Sequence, residues 1–207
     1  MFYILQRNHE YQKRGYRYGT ALRTLRQKIC RSPKVVWYNR IMKEHIIHPI
    51  PPFFDKGSRI LILGSFPSVR SREQQFFYGH PQNRFWKVMA RVFDDKVPDT
   101  IAEKKSFLSG HRIALWDVIG ACDIKGSSDS SIENVTPNDL TKILGTAGIN
   151  GVFVNGKTAE KYYRKYTESK TGIKAVCLPS TSPANAAWDI EKLVSVWREE
   201  ILKSIGR

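Results

Sequence analysis

The apolar positions of the chain follow two rhythms. Residues 60–63 form an unbroken apolar run inside "SRILILGS", bounded by Gly57 and Gly64. A run this short between glycines predicts a strand buried on both faces, because one exposed face would show as alternation. Further on the period lengthens, and Phe85, Val88, Met89 and Val92 recur at helical spacing over 85–93. "RIALWDVI" at 112–119 predicts a second strand, "GVFVNG" at 151–156 a third and "IKAVCLP" at 173–179 a fourth. Between them "KGSSDSS" is a loop, and "TPNDLTKIL" starts a helix with Thr136 as cap and Pro137 at the first helical position. "GKTAEKYYRKYTES" and residues 187–204 predict two more helices.

Strands that alternate with helices imply right-handed crossovers and a parallel sheet covered on both faces. The expected fold is therefore α/β, a three-layer α/β/α sandwich with a central four-stranded parallel sheet. Ligands of such sheets sit outside the carboxyl ends of the strands. Four loops are expected to face one site: 64–84, 117–136, 155–157 and 179–187.

Composition adds a partner to this picture. The 207 residues suit one domain and a tail; 41% hydrophobic and 26% charged residues are globular proportions. No apolar run reaches the roughly 18 residues of a membrane span. Yet 34 Lys+Arg against 19 Asp+Glu give a net charge of +15, which favours a polyanion such as nucleic acid. Residues 1–41 hold ten of the basic residues against the single acidic Glu10, a local charge of +9. Three readings of that segment stay open: a disordered basic extension ahead of a domain at 42–207, an upstream extension of a protein that starts at Met42, or an organellar targeting peptide. Cys30, Cys122 and Cys177 are odd in number and too scattered for a metal site or a disulfide framework, as expected of reduced intracellular thiols.

The densest chemistry is "FFYGHPQNRFW" at 76–86, where five of eleven residues are aromatic and His80, Gln82 and Asn83 stand among them. A core segment would avoid those polar groups, and a solvent loop would not show so many rings. Neither G-x-G-x-x-G nor G-x-x-x-x-G-K-[ST] is present, which removes the main support for a nucleotide cofactor. "LPSTSPANA" at 178–186 is a loop of hydroxyls and small residues, suited either to close approach to phosphates or to capping the last helix. Asn155 with Gly156 reads as a cap for the helix that follows.

Together "GSFPS", "YGHPQNRFW" and the Ser-Pro loop resemble the uracil-DNA glycosylase superfamily, and most closely its hypoxanthine-DNA glycosylase family, the DNA-deoxyinosine glycosylases. The resemblance runs from about His48 to the end and leaves residues 1–41 uncovered. It implies a monofunctional glycosylase that hydrolyses the N-glycosidic bond of deaminated bases in DNA, hypoxanthine first and uracil second, as a monomer without metal or organic cofactor. Such enzymes extrude the nucleotide, stack the base on a ring and read its edge with polar groups. By position in the motifs, Gly64, Ser65, Phe66 and Tyr78 are expected to bind the base, with Tyr78 as the stacking face. Ser180, Ser182, Pro183 and Asn185 are expected to meet DNA in a loop that enters the minor groove in relatives; Ala184 stands where several relatives carry a leucine wedge.

One departure bears on mechanism. Most superfamily members place a catalytic Asp or Asn immediately before the motif proline, where this chain has Phe66. The resemblance to the hypoxanthine family implies that the role has moved to Asn83, whose amide would accept a hydrogen bond from water and hold it below the anomeric carbon. His80 is open as proton donor or loop brace. Asp117 is open as a base-reading residue, an exposed helix cap or a salt-bridge partner. Phe66 also keeps a rival reading alive, a nucleic-acid-binding module that retains the pocket without turnover.

Overall fold

The computed structural model describes residues 43–206. The basic segment 1–41, and Cys30 within it, lie outside the described residues.

The run Ile60–Leu63 is fully buried, and each of its side chains has a core to enter. It belongs to β2 (Ile60–Gly64), which pairs in parallel with β3 (Ile113–Asp117) on one side and with β6 (Gly151–Asn155) on the other. β7 (Val176–Leu178) extends the sheet beyond β6, for an order of β3-β2-β6-β7. Ile60 and Ile62 turn to one face of this sheet and Leu61 and Leu63 to the other. The first face packs against α2 (Phe85–Val92), α3 (Ile101–Gly110) and α7 (Ile190–Ile205), with Trp197 of α7 fully buried. The second receives α4 (Thr141–Thr146) and α5 (Lys157–Tyr166) through Ile143, Ala159 and Tyr163. Burying one aliphatic side chain of this size contributes about 1.5–3 kcal/mol, so a sheet with two covered faces selects an unbroken apolar run. The four-stranded parallel sheet with helices on both faces is the expected architecture.

A second sheet was not expected. The apolar stretch 112–119 ends as a parallel strand at Asp117, and Val118 turns the chain into β4 (Ile119–Ile124). β4 lies between β1 (Glu44–Ile47) and β5 (Glu133–Pro137) in an antiparallel sheet of order β1-β4-β5. Much of the predicted 117–136 loop is therefore hairpin, and Thr136 and Pro137 oppose Ala121 and Ile119 instead of starting a helix. Proline lacks an N–H, so it suits a strand end as well as a first helical turn. The helix itself starts at Thr141, whose N–H donates to Asp139 Oδ1 at 2.9 Å.

Among the described residues there are also two short α-helices, α1 (Val69–Gln74) after β2 and α6 (Glu168–Thr171) after α5. Cys122 is buried and Cys177 half-buried, and burial pushes both thiols up to about 11, as for inert core cysteines. No described helix is long and apolar enough to cross a membrane.

Candidate active site

The four parallel strands end at Asp117, Gly64, Asn155 and Leu178, and a cleft of ≈ 480 Å³ opens at these ends. All four predicted loops reach it: it is lined by Gly64–Phe66, Tyr78, His80 and Asn83 of the first, Asp117 and Asp129 of the second, Asn155 of the third and Ser180–Ala184 of the fourth. Among the described residues no lysine or arginine lines it, and no group of three or more acidic, His or Cys side chains is placed to hold a metal.

Gly64 is required by its neighbours, because a Cβ there would collide with Asp117 Oδ1 and stand 3.3 Å from Tyr78 Oη. Asp117 is buried. Its Oδ2 accepts a hydrogen bond from His48 Nε2 at 2.8 Å, and His48 Nδ1 accepts from the Ile50 N–H at 3.2 Å. That backbone donor settles the tautomer, since the nitrogen facing it must be the acceptor. Asp117 is thus a buried carboxylate at a strand end held by a histidine N–H, and the exposed helix cap is ruled out. His48 lies edge-on to Phe66 and Trp116, at ring distances of 5.7 and 6.2 Å. Phe66 is itself buried, with the Arg72 guanidinium 5.9 Å above its ring.

Ser65 Oγ is 3.2 Å from both carboxylate oxygens of Asp129. Asp129 sits at the rim, yet the protein around it desolvates its carboxylate and raises its pKa; the hydrogen bond from Ser65 opposes this, and the charge of Asp117 adds to it. The serine-rich loop that carries Asp129 is tied across the cleft mouth, where Val69 N–H donates to Ser127 Oγ at 2.9 Å.

Tyr78 has a left-handed backbone with φ of 52°, a conformation that costs a non-glycine residue about 1–2 kcal/mol. Its ring stacks on Phe85 with centroids 3.8 Å apart, and Tyr78 Oη accepts from Asn155 Nδ2 at 3.1 Å. Burial raises the phenol pKa, and Asp117 raises it further. Tyr78 therefore stays neutral, with one ring face covered by Phe85.

His80 Nδ1 accepts from the Gln82 N–H at 3.2 Å, and the Asn83 N–H donates to His80 O at 2.9 Å. The ring braces the turn and also lines the cleft. Asn83 Oδ1 accepts twice, from the Phe85 N–H and from Thr181 Oγ1, both at 3.0 Å. The acceptor expected to hold water is therefore occupied, and the amide nitrogen has no protein partner among the described residues.

Asn155 does not cap α5. Its side chain crosses to the fourth loop, donating through Nδ2 to Thr181 Oγ1 at 2.9 Å and accepting through Oδ1 from the Thr181 N–H at 3.0 Å. Gly156 takes the helix N-cap position with φ of 94°, where a Cβ would lie 2.8 Å from Ser180 Cβ. The cap reading failed because Asn155 Oδ1 meets an amide of another loop before it can reach its own helix.

In the fourth loop Ser180 Oγ accepts from the Ser182 N–H at 3.2 Å, Ser182 Oγ from the Ala184 N–H at 3.3 Å, and Asn185 Nδ2 donates to Ser180 O at 2.9 Å. These side chains shape the loop, leaving Pro183 and Ala184 exposed at its tip. The Arg84 guanidinium holds the same loop from beneath, donating to the carbonyls of Thr181 at 3.3 Å, Ser182 at 2.7 Å, Asn185 at 3.0 Å and Trp188. Sequence reasoning missed His48, Arg84 and Thr181. Arg84 and Thr181 each carried a signal, one beside Asn83 in its motif and the other between Ser180 and Ser182 in the Ser-Pro loop, and His48 carried none.

Comparison with known proteins adds a family. The family described as "Uracil DNA glycosylase superfamily" matches residues 51–202. A hypoxanthine DNA glycosylase of Methanosarcina acetivorans is 35% identical over 137 residues, 65% of this chain and 85% of the relative. One from Methanosarcina barkeri is 31% identical over 151 residues, covering 72% of this chain and 94% of the relative. The solution NMR structure of a Methanosarcina acetivorans protein provisionally named a uracil DNA glycosylase superposes with a TM-score of 0.62 at 32% identity, over 74% of this chain and 98% of that one.

Proposed function

The chain belongs to the uracil DNA glycosylase superfamily, and from that premise we propose that it releases deaminated bases from DNA, hypoxanthine first and uracil second, without cutting the strand. Membership makes it a DNA glycosylase, a hydrolase of N-glycosyl bonds. The observation that carries the finer reading is the meeting of Tyr78, Asn83 and Asp117 in one cleft.

An extruded base would rest on the ring face of Tyr78 that Phe85 leaves open. Asp117 would read its edge. Hypoxanthine and uracil each present a ring N–H beside a carbonyl, whereas adenine and cytosine present a lone pair at that ring nitrogen. A carboxylate accepts hydrogen bonds and repels lone pairs, so Asp117 Oδ1 favours the deaminated form. His48, donating to Oδ2, holds that acceptor in place.

The glycosidic C–N bond breaks as the base leaves with the bonding electrons. An oxocarbenium-like sugar cation needs only a positioned water, which forms the new C–O bond; its proton ends on the departing base or in solvent. Asn83 takes part as a donor through Nδ2, towards the water oxygen or the leaving base, since Oδ1 is engaged. His80, at the rim, is the candidate for returning a proton to the base. Lysine, absent from the described lining, is the residue that would form a Schiff base and lead to strand cleavage. Pro183 and Ala184 at the loop tip are the groups set to meet the DNA groove.

Oligonucleotides carrying one hypoxanthine, uracil or xanthine test this reading. The expected products are free base and an intact abasic strand that breaks only in alkali, fastest for hypoxanthine. Release of no base from any of them would leave a nucleic-acid-binding module, and strand cleavage without alkali would overturn the monofunctional assignment.

A further inference from the structure

Thr181 is fully buried, and all its polar atoms are engaged. Its N–H donates to Asn155 Oδ1 and its carbonyl accepts from the Arg84 N–H at 3.1 Å. Its hydroxyl lies between the amides of Asn155 and Asn83, at 2.9 and 3.0 Å.

Two backbone donors set the direction of this hydrogen-bond chain. The Thr181 N–H must face an oxygen, so the other end of Asn155 is its NH2, which donates to the Thr181 hydroxyl. The Phe85 N–H must likewise face the oxygen of Asn83, so the hydroxyl proton of Thr181 points to that same oxygen. Asn155 donates to Thr181, Thr181 donates to Asn83, and the amide nitrogen of Asn83 is the end left over. We propose that Thr181 and Asn155 are positioning residues that decide which end of the Asn83 amide the reacting nucleotide meets. This rests on the reading of Asn83 as the reacting amide.

An asparagine amide can turn over at little cost unless its neighbours distinguish oxygen from nitrogen. The Phe85 N–H alone makes that distinction from one direction; the Thr181 hydroxyl adds a second, and Asn155 commits the hydroxyl to donating. A residue with both a donor and an acceptor on one atom is needed at 181, and threonine or serine supplies it.

Thr181→Val keeps the shape and removes the hydroxyl. It is expected to lower the single-turnover rate of hypoxanthine release by about a hundredfold, the scale of a reacting group misplaced by about 1 Å, with unchanged DNA affinity. Thr181→Ser is expected to restore most of the rate. Asn155→Asp keeps shape and the bond from the Thr181 N–H but turns the hydroxyl proton towards residue 155, so it should resemble Thr181→Val. A normal rate in Thr181→Val, equal losses in the Val and Ser variants, or a normal rate in Asn155→Asp would each overturn the relay. Should Thr181→Val fail to fold, Thr181→Ser and Asn155→Asp carry the same decision. In ¹⁵N-labelled protein the Asn83 side-chain NH2 pair, identified by its loss in Asn83→Ala, should move in Asn155→Asp and stay in place in Thr181→Ser. That signal tests the relay even if no base is released, which separates it from failure of the proposed activity.

Discussion

On the β6–β7 flank of the cleft, Asn155, Thr181 and Asn83 are neutral groups joined by hydrogen bonds of set direction, and the Arg84 guanidinium is spent on carbonyls. On the β3 flank, Asp117 and Asp129 are carboxylates held by His48 and Ser65. The neutral flank keeps its polarity at any pH near neutrality, which is what a positioned reacting group needs. The carboxylates of the acidic flank present acceptors only, which is what discrimination of an N–H from a lone pair needs. This flank also costs more to keep, because a carboxylate in a cleft whose described lining holds no lysine or arginine is desolvated without a full counter-charge.

Breaking the neutral flank should have the largest effect. Asn83→Ala is expected to lower single-turnover base release by about 10²–10³-fold, the usual loss for one positioned transition-state donor, with DNA binding retained. A near-normal rate would move the reacting role to Asp117 or His80. Next comes Tyr78, on which the two flanks meet. Tyr78→Ala should lose about 1–3 kcal/mol of transition-state binding if a base stacks on the ring. Tyr78→Phe should lose less, about 0.5–1.5 kcal/mol, since only the bond from Asn155 goes. Equal losses would assign the role to the hydroxyl.

The acidic flank is sharpened by Asp117→Asn. The His48 Nε2–H selects the amide oxygen of the new side chain, which leaves NH2 where Oδ1 stood. Hypoxanthine release should fall about tenfold and discrimination against adenine should shrink, as when a buried donor meets a donor; measuring both bases in one competition assay checks it. An unchanged preference would remove Asp117 from base reading.

The smallest expected effect is on stability. The folded-state pKa of Asp129 is raised, chiefly by desolvation, so between its ordinary value of 3.8 and its folded value the native state binds more protons than the unfolded state. Stability from this group therefore falls as pH rises through that window and stays lower above it. Thermal unfolding of Asp129→Asn should show a midpoint equal to or above that of the parent near neutral pH, with the difference shrinking towards pH 4. A lower midpoint at neutral pH would mean that Ser65 and the serine-rich loop need the charge.

The continuous apolar run of β2 and the helical spacing of Phe85, Val88, Met89 and Val92 were legible because each is a local pattern answering to one buried surface. β4 and β5 were not: they are short, half-exposed and interrupted by register shifts, so neither shows a clean period. The Thr136–Pro137 pair carries a helix-start signal that serves a strand end equally well, and only pairing with β4 decides between them. Glu103 with Thr100 formed a capping box that could have announced α3.

The sequence by itself determined the parallel sheet and the four loops that meet at its carboxyl ends, because periodicity is local, whereas Tyr78 and Asn83 were named as candidates through the resemblance of their motif to a family. Tertiary structure alone decided that His48 grips Asp117 across 69 positions and that Thr181 turns Asn83 across 98. A hydrogen bond needs its two groups within about 3 Å and correctly oriented, and nothing in the order of residues states that proximity before the chain has folded.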